Sequence, residues 1–213
     1  MDKFAKATMK LHIDKTLHNL AKNNMEGYFV ATKEDALKKA AELISDGDTV
    51  TVGGSMTLFE IGLIDYLRSG RFNLLDRYKK GLSHEQTEEI FRKAFFADTY
   101  FVSSNAITEE GELYNVDGNG NRVAAMIYGP KSVIIIAGYN KLVKDRDAAV
   151  ARVRSIAAPA NVARLSCPAP CAKTGECMDC KSEGHICCSY VFLGRQREKG
   201  RIKVILVGEE LGY

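Results

Sequence analysis

The first 166 of the 213 residues contain no cysteine, so no disulfide or thiolate-ligated centre can organise that part of the chain. Nowhere does an apolar run approach the roughly 20 residues needed to cross a bilayer. The opening MDKFAKATMKLHIDKTL carries charges every few positions and no apolar signal-type core. No membrane association and a cytoplasmic location are therefore expected. The 30 basic and 27 acidic residues leave a net charge of +3 with no long run of either sign, so the electrostatic footprint of a nucleic-acid binder is missing and none is expected as a partner. An obvious acid–base pair is also lacking: His84 sits in a helical pattern, and Glu60 is the one carboxylate expected near a ligand.

What is present is an alternation of helix-like and strand-like stretches, in a length suited to one α/β domain spanning 1–213. Phe4, Met9, Ile13, Leu17 and Leu20 give a helix over 2–24. A short strand follows at 28–31, then a helix started by Thr32 and Asp35 and ended at 45–48. The β-branched run 49–52 leads through Gly53-Gly54-Ser55 into a helix carrying Leu58 to Leu67. Glycines let a ligand approach the backbone, and a helix start offers free N–H groups to an anion. The stretch is neither G-x-G-x-x-G nor G-x4-G-K-[ST], which counts against a dinucleotide fingerprint or a P-loop; a plain tight turn is the alternative. A strand at 72–76, a helix from His84 to Ala97 and a strand at 99–103 come next.

Residues 103–143 are the densest polar stretch. Asp117-Gly118-Asn119-Gly120-Asn121 reads as a hairpin loop, although Arg122 and the apolar VAAMIYG after it suggest a loop feeding an ordered, buried element. Val133–Ala137 is an unbroken apolar run, the pattern of a strand covered on both faces in a parallel sheet. Polar residues just past such strands hold ligands in open α/β sheets. Ser55, Asn105 and Asn140-Lys141 are accordingly expected to share one rim, with Gly53, Gly54, Asp117, Asn119, Asn121 and Arg122 as further ligand-binding candidates and Glu60 as a catalytic candidate. Ordinary loop capping is the alternative for each. A helix over 145–157 should stop before Pro159, and strands at 190–193 and 202–207 return the chain to the sheet.

Between that helix and those strands lie all six cysteines, in the spacing C-x3-C-x5-C-x2-C-x6-C-C from Cys167 to Cys188. Closely spaced thiols in a reducing compartment point to metal ligation more than to disulfides. Residues 166–189 hold too few large apolar side chains for a core of their own, a deficit that a bound metal can offset. Cys177 and Cys180 form the strongest pair, with Cys171 and Cys187 as third and fourth ligands and Cys167 as an alternative. Consecutive side chains of an extended segment point oppositely, which leaves Cys188 out. His185 is a possible substitute ligand, and Asp179 is expected to face solvent. The spacing matches neither a zinc ribbon nor the ferredoxin run, so an iron–sulfur cluster and a structural zinc both stay open, as do free cysteines.

GGSMTLFEIGLIDYLRSG (53–70), NAITEEGELYNVDGNGNRVAAMIYGPKSVIIIAGYNKLV (105–143), AAPANVARL (157–165), the cysteine segment with its CAKTGECMDC, and RIKVILVGEELGY (201–213) together resemble the LUD-domain family of lactate-utilization proteins, of the LutC and YkgG type. The resemblance covers nearly the whole chain and points to a cysteine-bearing subgroup, since many members lack such a cluster. It implies a Rossmann-like α/β sandwich of the sugar-isomerase and CoA-transferase superfamily type, with the cysteines as an insertion at about 166–189. It also implies a part in oxidising L-lactate to pyruvate beside iron–sulfur oxidoreductase subunits, which tips the cofactor expectation to an iron–sulfur cluster over zinc. Two alternatives stand beside a redox accessory subunit that binds a small anionic metabolite: a transferase or isomerase of anionic sugars or acyl groups with a structural zinc, and a non-catalytic scaffold.

Overall fold

Residues 2–213 are described by the structure, a computed structural model. The carboxylate of Asp2 accepts from the backbone N–H groups of Phe4 and Ala5 and opens α1 (Lys3–Lys22), satisfying donors that a helix start leaves free. Only its later turns pack: Ile13, Thr16, Asn19 and Leu20 are buried, whereas Phe4 stands in solvent. The chain then runs through β1 (Glu26–Val30), α2 (Lys33–Glu42) capped by Thr32, and β2 (Thr49–Val52).

The helix expected from Leu58 to Leu67 is two helices, α3 (Met56–Glu60) and α4 (Leu63–Leu67). Gly62 separates them at φ +74°, a left-handed conformation that breaks the helical ladder and that glycine adopts at little steric cost. After β3 (Asn73–Leu75), α5 (His84–Lys93) and β4 (Thr99–Val102), the chain forms the short strands β5 (Ala106–Thr108) and β6 (Leu113–Asp117). Of the two readings of 117–121, the exposed hairpin loop gives way to the loop that feeds an ordered, buried element: the segment is a turn from β6 into α6 (Asn121–Ile127). Asp117 accepts from the N–H groups of Gly120 and Val123 there, and Val123, Ala125 and Met126 are buried.

Beyond β7 (Ser132–Gly138) and β8 (Leu142–Val143), α7 (Arg146–Arg152) does not stop before Pro159. It widens into a π-helical turn over Val153–Ala157 and continues as α8 (Ala158–Arg164), with Pro159 in the first turn. The widened turn accommodates a residue that has no N–H to give and whose ring would crowd the carbonyl four residues back. A single turn, α9 (Cys171–Thr174), lies in the cysteine segment, before β9 (Ser189–Leu193) and β10 (Ile202–Val207).

Six strands form a wholly parallel sheet in the order β1-β10-β7-β4-β2-β3. Alternate residues of β7 go to opposite faces: Val133 and Ile135 pack with Ile13, Leu20 and Met126, and Ile134 and Ile136 with Ala36, Leu58 and Leu63. Each such aliphatic, once fully buried, contributes about 1.5–3 kcal/mol. This is the Rossmann-like α/β sandwich. A second sheet, in the order β8-β5-β6-β9, covers one side, with α7 and its π-helical turn packed on it. The two closing strands therefore part company: β10 enters the large sheet, whereas β9 pairs with β6 of the small one. No described helix is long and apolar enough to cross a membrane.

Candidate functional site

Strands β2 and β4 are neighbours, but the chain leaves β2 toward the β3 edge and leaves β4 toward β7. Connections that diverge in this way open a crevice at the carboxyl ends of the strands. A cavity of about 310 Å³ lies there. Gly54, Ser55 and Met56 line it from the β2 side, Ser103, Ser104 and Asn105 from the β4 side, Asp117, Gly118, Asn119, Asn121 and Arg122 from the turn into α6, and Lys141 from the end of β7; Arg77, Asn161, Arg164, Ile186 and Tyr213 are also in the wall.

Of the residues anticipated from sequence, Gly54, Ser55, Asn105, Asp117, Asn119, Asn121, Arg122 and Lys141 line this one cavity. Three others stand behind it. Gly53 is packed against the side chains of Tyr100 and Val102, where an added Cβ would lie 2.6 Å from the Tyr100 hydroxyl. The Asn140 amide donates to the Gly212 carbonyl at 3.0 Å and accepts from the Leu211 N–H at 3.1 Å. Glu60 accepts from the Gly212 N–H at 2.8 Å. Asn140 and Glu60 thus tie down residues 211–213, the segment that brings Tyr213 into the wall. Glu60, the side chain put forward from sequence as catalytic, does not line the cavity but holds the Gly212 N–H behind it.

Arg122 is the hub of the small-sheet side. Its guanidinium donates to Asn115 Oδ1 at 2.5 Å, Asn105 Oδ1 at 3.1 Å and the Val116 carbonyl at 2.8 Å, and its Nε lies 3.3 Å from Asp117. Asn115 in turn donates to Ser104 Oγ at 3.1 Å. This buried network fixes the cavity floor. Arg77 and Arg164 differ: both line the cavity, and neither has an acidic partner among the described residues. The hydroxyl of Ser55 is buried in the same wall with no hydrogen-bond partner among the described residues, and that of Tyr213 is buried beside Arg164. A buried polar atom left without a partner costs about 1–3 kcal/mol, and a bound ligand can supply that partner.

Lys141 is the chemically distinctive group. It is 3% exposed, and its Nζ donates to Thr57 Oγ1 at 3.0 Å and Ser103 Oγ at 2.9 Å. Its ammonium is pushed down to about 7, chiefly by burial, then by the nearby Arg152 guanidinium; Glu60 opposes this and Arg122 adds to it. Removal from water disfavours the charged form. Sequence pattern placed Lys141 on the rim but gave no sign of this shift. Arg77, Arg164 and Tyr213 were not anticipated at all, because no local pattern ties them to the strand ends.

The cysteine segment enters the cavity wall through Ile186, while none of its cysteines lines the cavity. The Cys188 N–H donates to the Asp117 carbonyl at 2.9 Å, the Cys177 N–H to the Arg154 carbonyl at 2.9 Å, and Ile186 reaches the cavity wall. Cys171, Cys180 and Cys167 pack with Val162, Ala169 and Ile186, so the segment shares a small apolar cluster with α8. Cys187 is half-buried and Cys188 exposed, as alternation requires. The Cys187 thiol is pushed up to about 11 by burial and then by the nearby Cys177, Cys171 and Cys180, so the other three anticipated ligands lie within its electrostatic reach. As donors, four thiolates suit an iron–sulfur cluster or zinc. Their positions do not converge: among the described residues no three of His, Cys, Asp and Glu approach closely enough to hold one ion. His185 ties the Cys180 thiol to the Cys187 backbone, with Nδ1 3.6 Å from Cys180 Sγ and Nε2 2.8 Å from the Cys187 carbonyl. The Cys180 thiol is lowered to about 7, first by His185. Asp179 is exposed and pairs with Arg154 at 2.6 Å.

The LUD domain family model matches residues 13–207. Among solved structures, a DUF162 family protein from Deinococcus radiodurans is similar over 95% of this chain and 98% of its own, with a TM-score of 0.51 and 15% identity, a likeness of fold. The eIF2B delta subunit from Chaetomium thermophilum (TM-score 0.37, 23% identity, 55% of this chain and 50% of its own) and ribose 5-phosphate isomerase from Plasmodium falciparum (0.34, 19%, 53% and 52%) are similar over little more than half of the chain. No curated protein matches the chain in sequence. With the family model spanning most of its length, the chain belongs to the LUD domain family.

Proposed function

With that membership as premise, we propose that the protein binds a small carboxylate-bearing metabolite in the cavity and serves lactate utilization beside iron–sulfur oxidoreductase subunits. The observation that carries the binding site is the pair Arg77 and Arg164, two guanidiniums lining one cavity with no acidic partner among the described residues, beside the unpartnered hydroxyl of Ser55. Guanidinium forks match carboxylate geometry, and charge-assisted hydrogen bonds are about twice as strong as neutral ones. The pathway comes from the family, and the ligand class from the charge of the wall.

Titration calorimetry with L-lactate, pyruvate and oxalate tests the binding site. Arg77→Gln and Arg164→Gln should each weaken binding about 10- to 100-fold, the loss of roughly 1.4–2.8 kcal/mol of charge-assisted hydrogen bonding. No binding by any of the three at millimolar concentration, or binding indifferent to both substitutions, rejects the reading and favours a scaffold role.

The cysteine segment supports a second reading, a thiolate-held iron–sulfur cluster, with zinc as the other occupant. The support is three thiols within electrostatic reach of the fourth, Cys187, in a segment that packs only a small apolar cluster. Because the sulfurs do not converge, drawing them together requires residues 171–187 to move, and no electron-transfer step is derived from the present arrangement. Anaerobic purification with iron, sulfide and zinc analysis decides between the occupants. Cys177→Ser and Cys180→Ser should lose the metal while Cys188→Ser keeps it; metal-free protein from all four preparations rejects the site.

A further inference from the structure

We propose that Lys141 is a nucleophile that forms a reversible imine with the keto carbon of a 2-oxo acid held in the cavity. This rests on the carboxylate-binding reading above and gives the site its chemistry.

A buried ammonium ordinarily requires a carboxylate beside it. Lys141 has none in ion-pair range among the described residues: its two hydrogen-bond partners are the hydroxyls of Thr57 and Ser103. The charged groups felt at Nζ are Arg152, Glu60 and Arg122. Arg152 is spent on the carbonyls of Asn140 and Asn105, and Glu60 is engaged with the Gly212 N–H. Burial first, and then two guanidiniums against one carboxylate, lower the cost of the neutral amine far below that of an ordinary lysine. A neutral amine adds little to holding a carboxylate, but it is a good nucleophile toward a carbonyl. No other group on the wall competes for the role. The described lining holds no histidine or cysteine, and its one carboxylate, Asp117, is engaged with Arg122, Gly120 and Val123.

In the reaction, the Nζ lone pair forms the C–N bond as the keto oxygen takes up a proton, giving a carbinolamine. The C–O bond then breaks, that oxygen leaves as water with a second proton, and a cationic imine remains. Two protons enter with the oxygen's departure and one leaves the nitrogen, so one proton is taken up net and no oxidant is consumed. The carboxylate stays on the Arg77 and Arg164 side. A volume of about 310 Å³ admits 2-oxo acids longer than pyruvate.

Incubating the intact protein with pyruvate and sodium cyanoborohydride near neutral pH, followed by intact-mass measurement and peptide mapping, tests this without any variant. One reductively aminated pyruvate per chain is expected, on Lys141. Lysines of ordinary pKa are neutral about 10³-fold less often at that pH, so they should label far more slowly. Oxalate, an anion with no keto carbon, should protect, and Lys141→Arg, checked for folding by its melting curve, should abolish the label. If calorimetry detects pyruvate but the label is absent or spread over other lysines, the imine is overturned and the anion site stands. If neither binding nor label is found, both fall.

Discussion

Replacing Arg122 by methionine keeps the unbranched stem of the side chain as far as Nε and removes its guanidinium fork. The fork joins three elements: α6, which carries it, β6 through Asn115, Val116 and Asp117, and the exit of β4 through Asn105. The side chains of Arg122 and Asp117 are only 12% and 10% exposed, so water cannot easily replace what is lost. Breaking a buried, hydrogen-bonded ion pair from one side costs about 3–5 kcal/mol. The individual bonds do not add to more, because Asp117 keeps the N–H groups of Gly120 and Val123. For a domain of this size roughly 2–4 °C of melting temperature goes with each kcal/mol, so a fall of about 10 °C is expected. Urea unfolding followed by ellipticity measures the free energy, and a calorimetric melt measures the temperature. In a double-mutant cycle, Asp117→Asn with Arg122→Met should cost less than the sum of the two, by about 1 kcal/mol or more, because the two groups are in contact. A loss under about 1 kcal/mol for Arg122→Met, or strict additivity in the cycle, would show that the network is not what fixes the cavity floor.

Lys141 links stability to pH. Its folded pKa of about 7 lies below the ordinary 10.5, so between these values the unfolded chain holds more protons and stability rises with pH; the deficit is fully present below about pH 7. Lys141→Met removes the linkage and leaves a constant offset from the two hydroxyls it deserts. The stability of the variant relative to the native chain should therefore fall by about 2.5 kcal/mol between roughly pH 6 and pH 9, and a pH-independent difference would mean that the ammonium is not lowered by folding. Glu60→Ala should weaken carboxylate binding severalfold by loosening residues 211–213, whereas Glu60→Gln, which keeps an acceptor for the Gly212 N–H, should bind like the native chain. Calorimetry on both distinguishes positioning from charge: equal damage by the two would restore a role for the carboxylate's charge.

The sequence by itself determined the class of fold, the chain's place in its family and the position of the rim. An unbroken apolar run such as 133–137 has few solutions other than a strand covered on both faces, and Ser55, Asn105 and Lys141 follow strand ends at which parallel sheets gather ligands. It misjudged local continuity where a single residue decides it, at Gly62, which divides a helix, and at Pro159, which a π-helical turn carries through. It also missed the second sheet, whose strands at 106–108 and 142–143 are too short to show a period. Tertiary structure alone decided the chemistry of the cavity. Arg77, Arg164 and Tyr213 come from distant parts of the chain, and the partners of Lys141 lie 84 and 38 residues away. Propensity and periodicity act between near neighbours, whereas the loss of water that lowers the Lys141 ammonium exists only once those remote elements close over it.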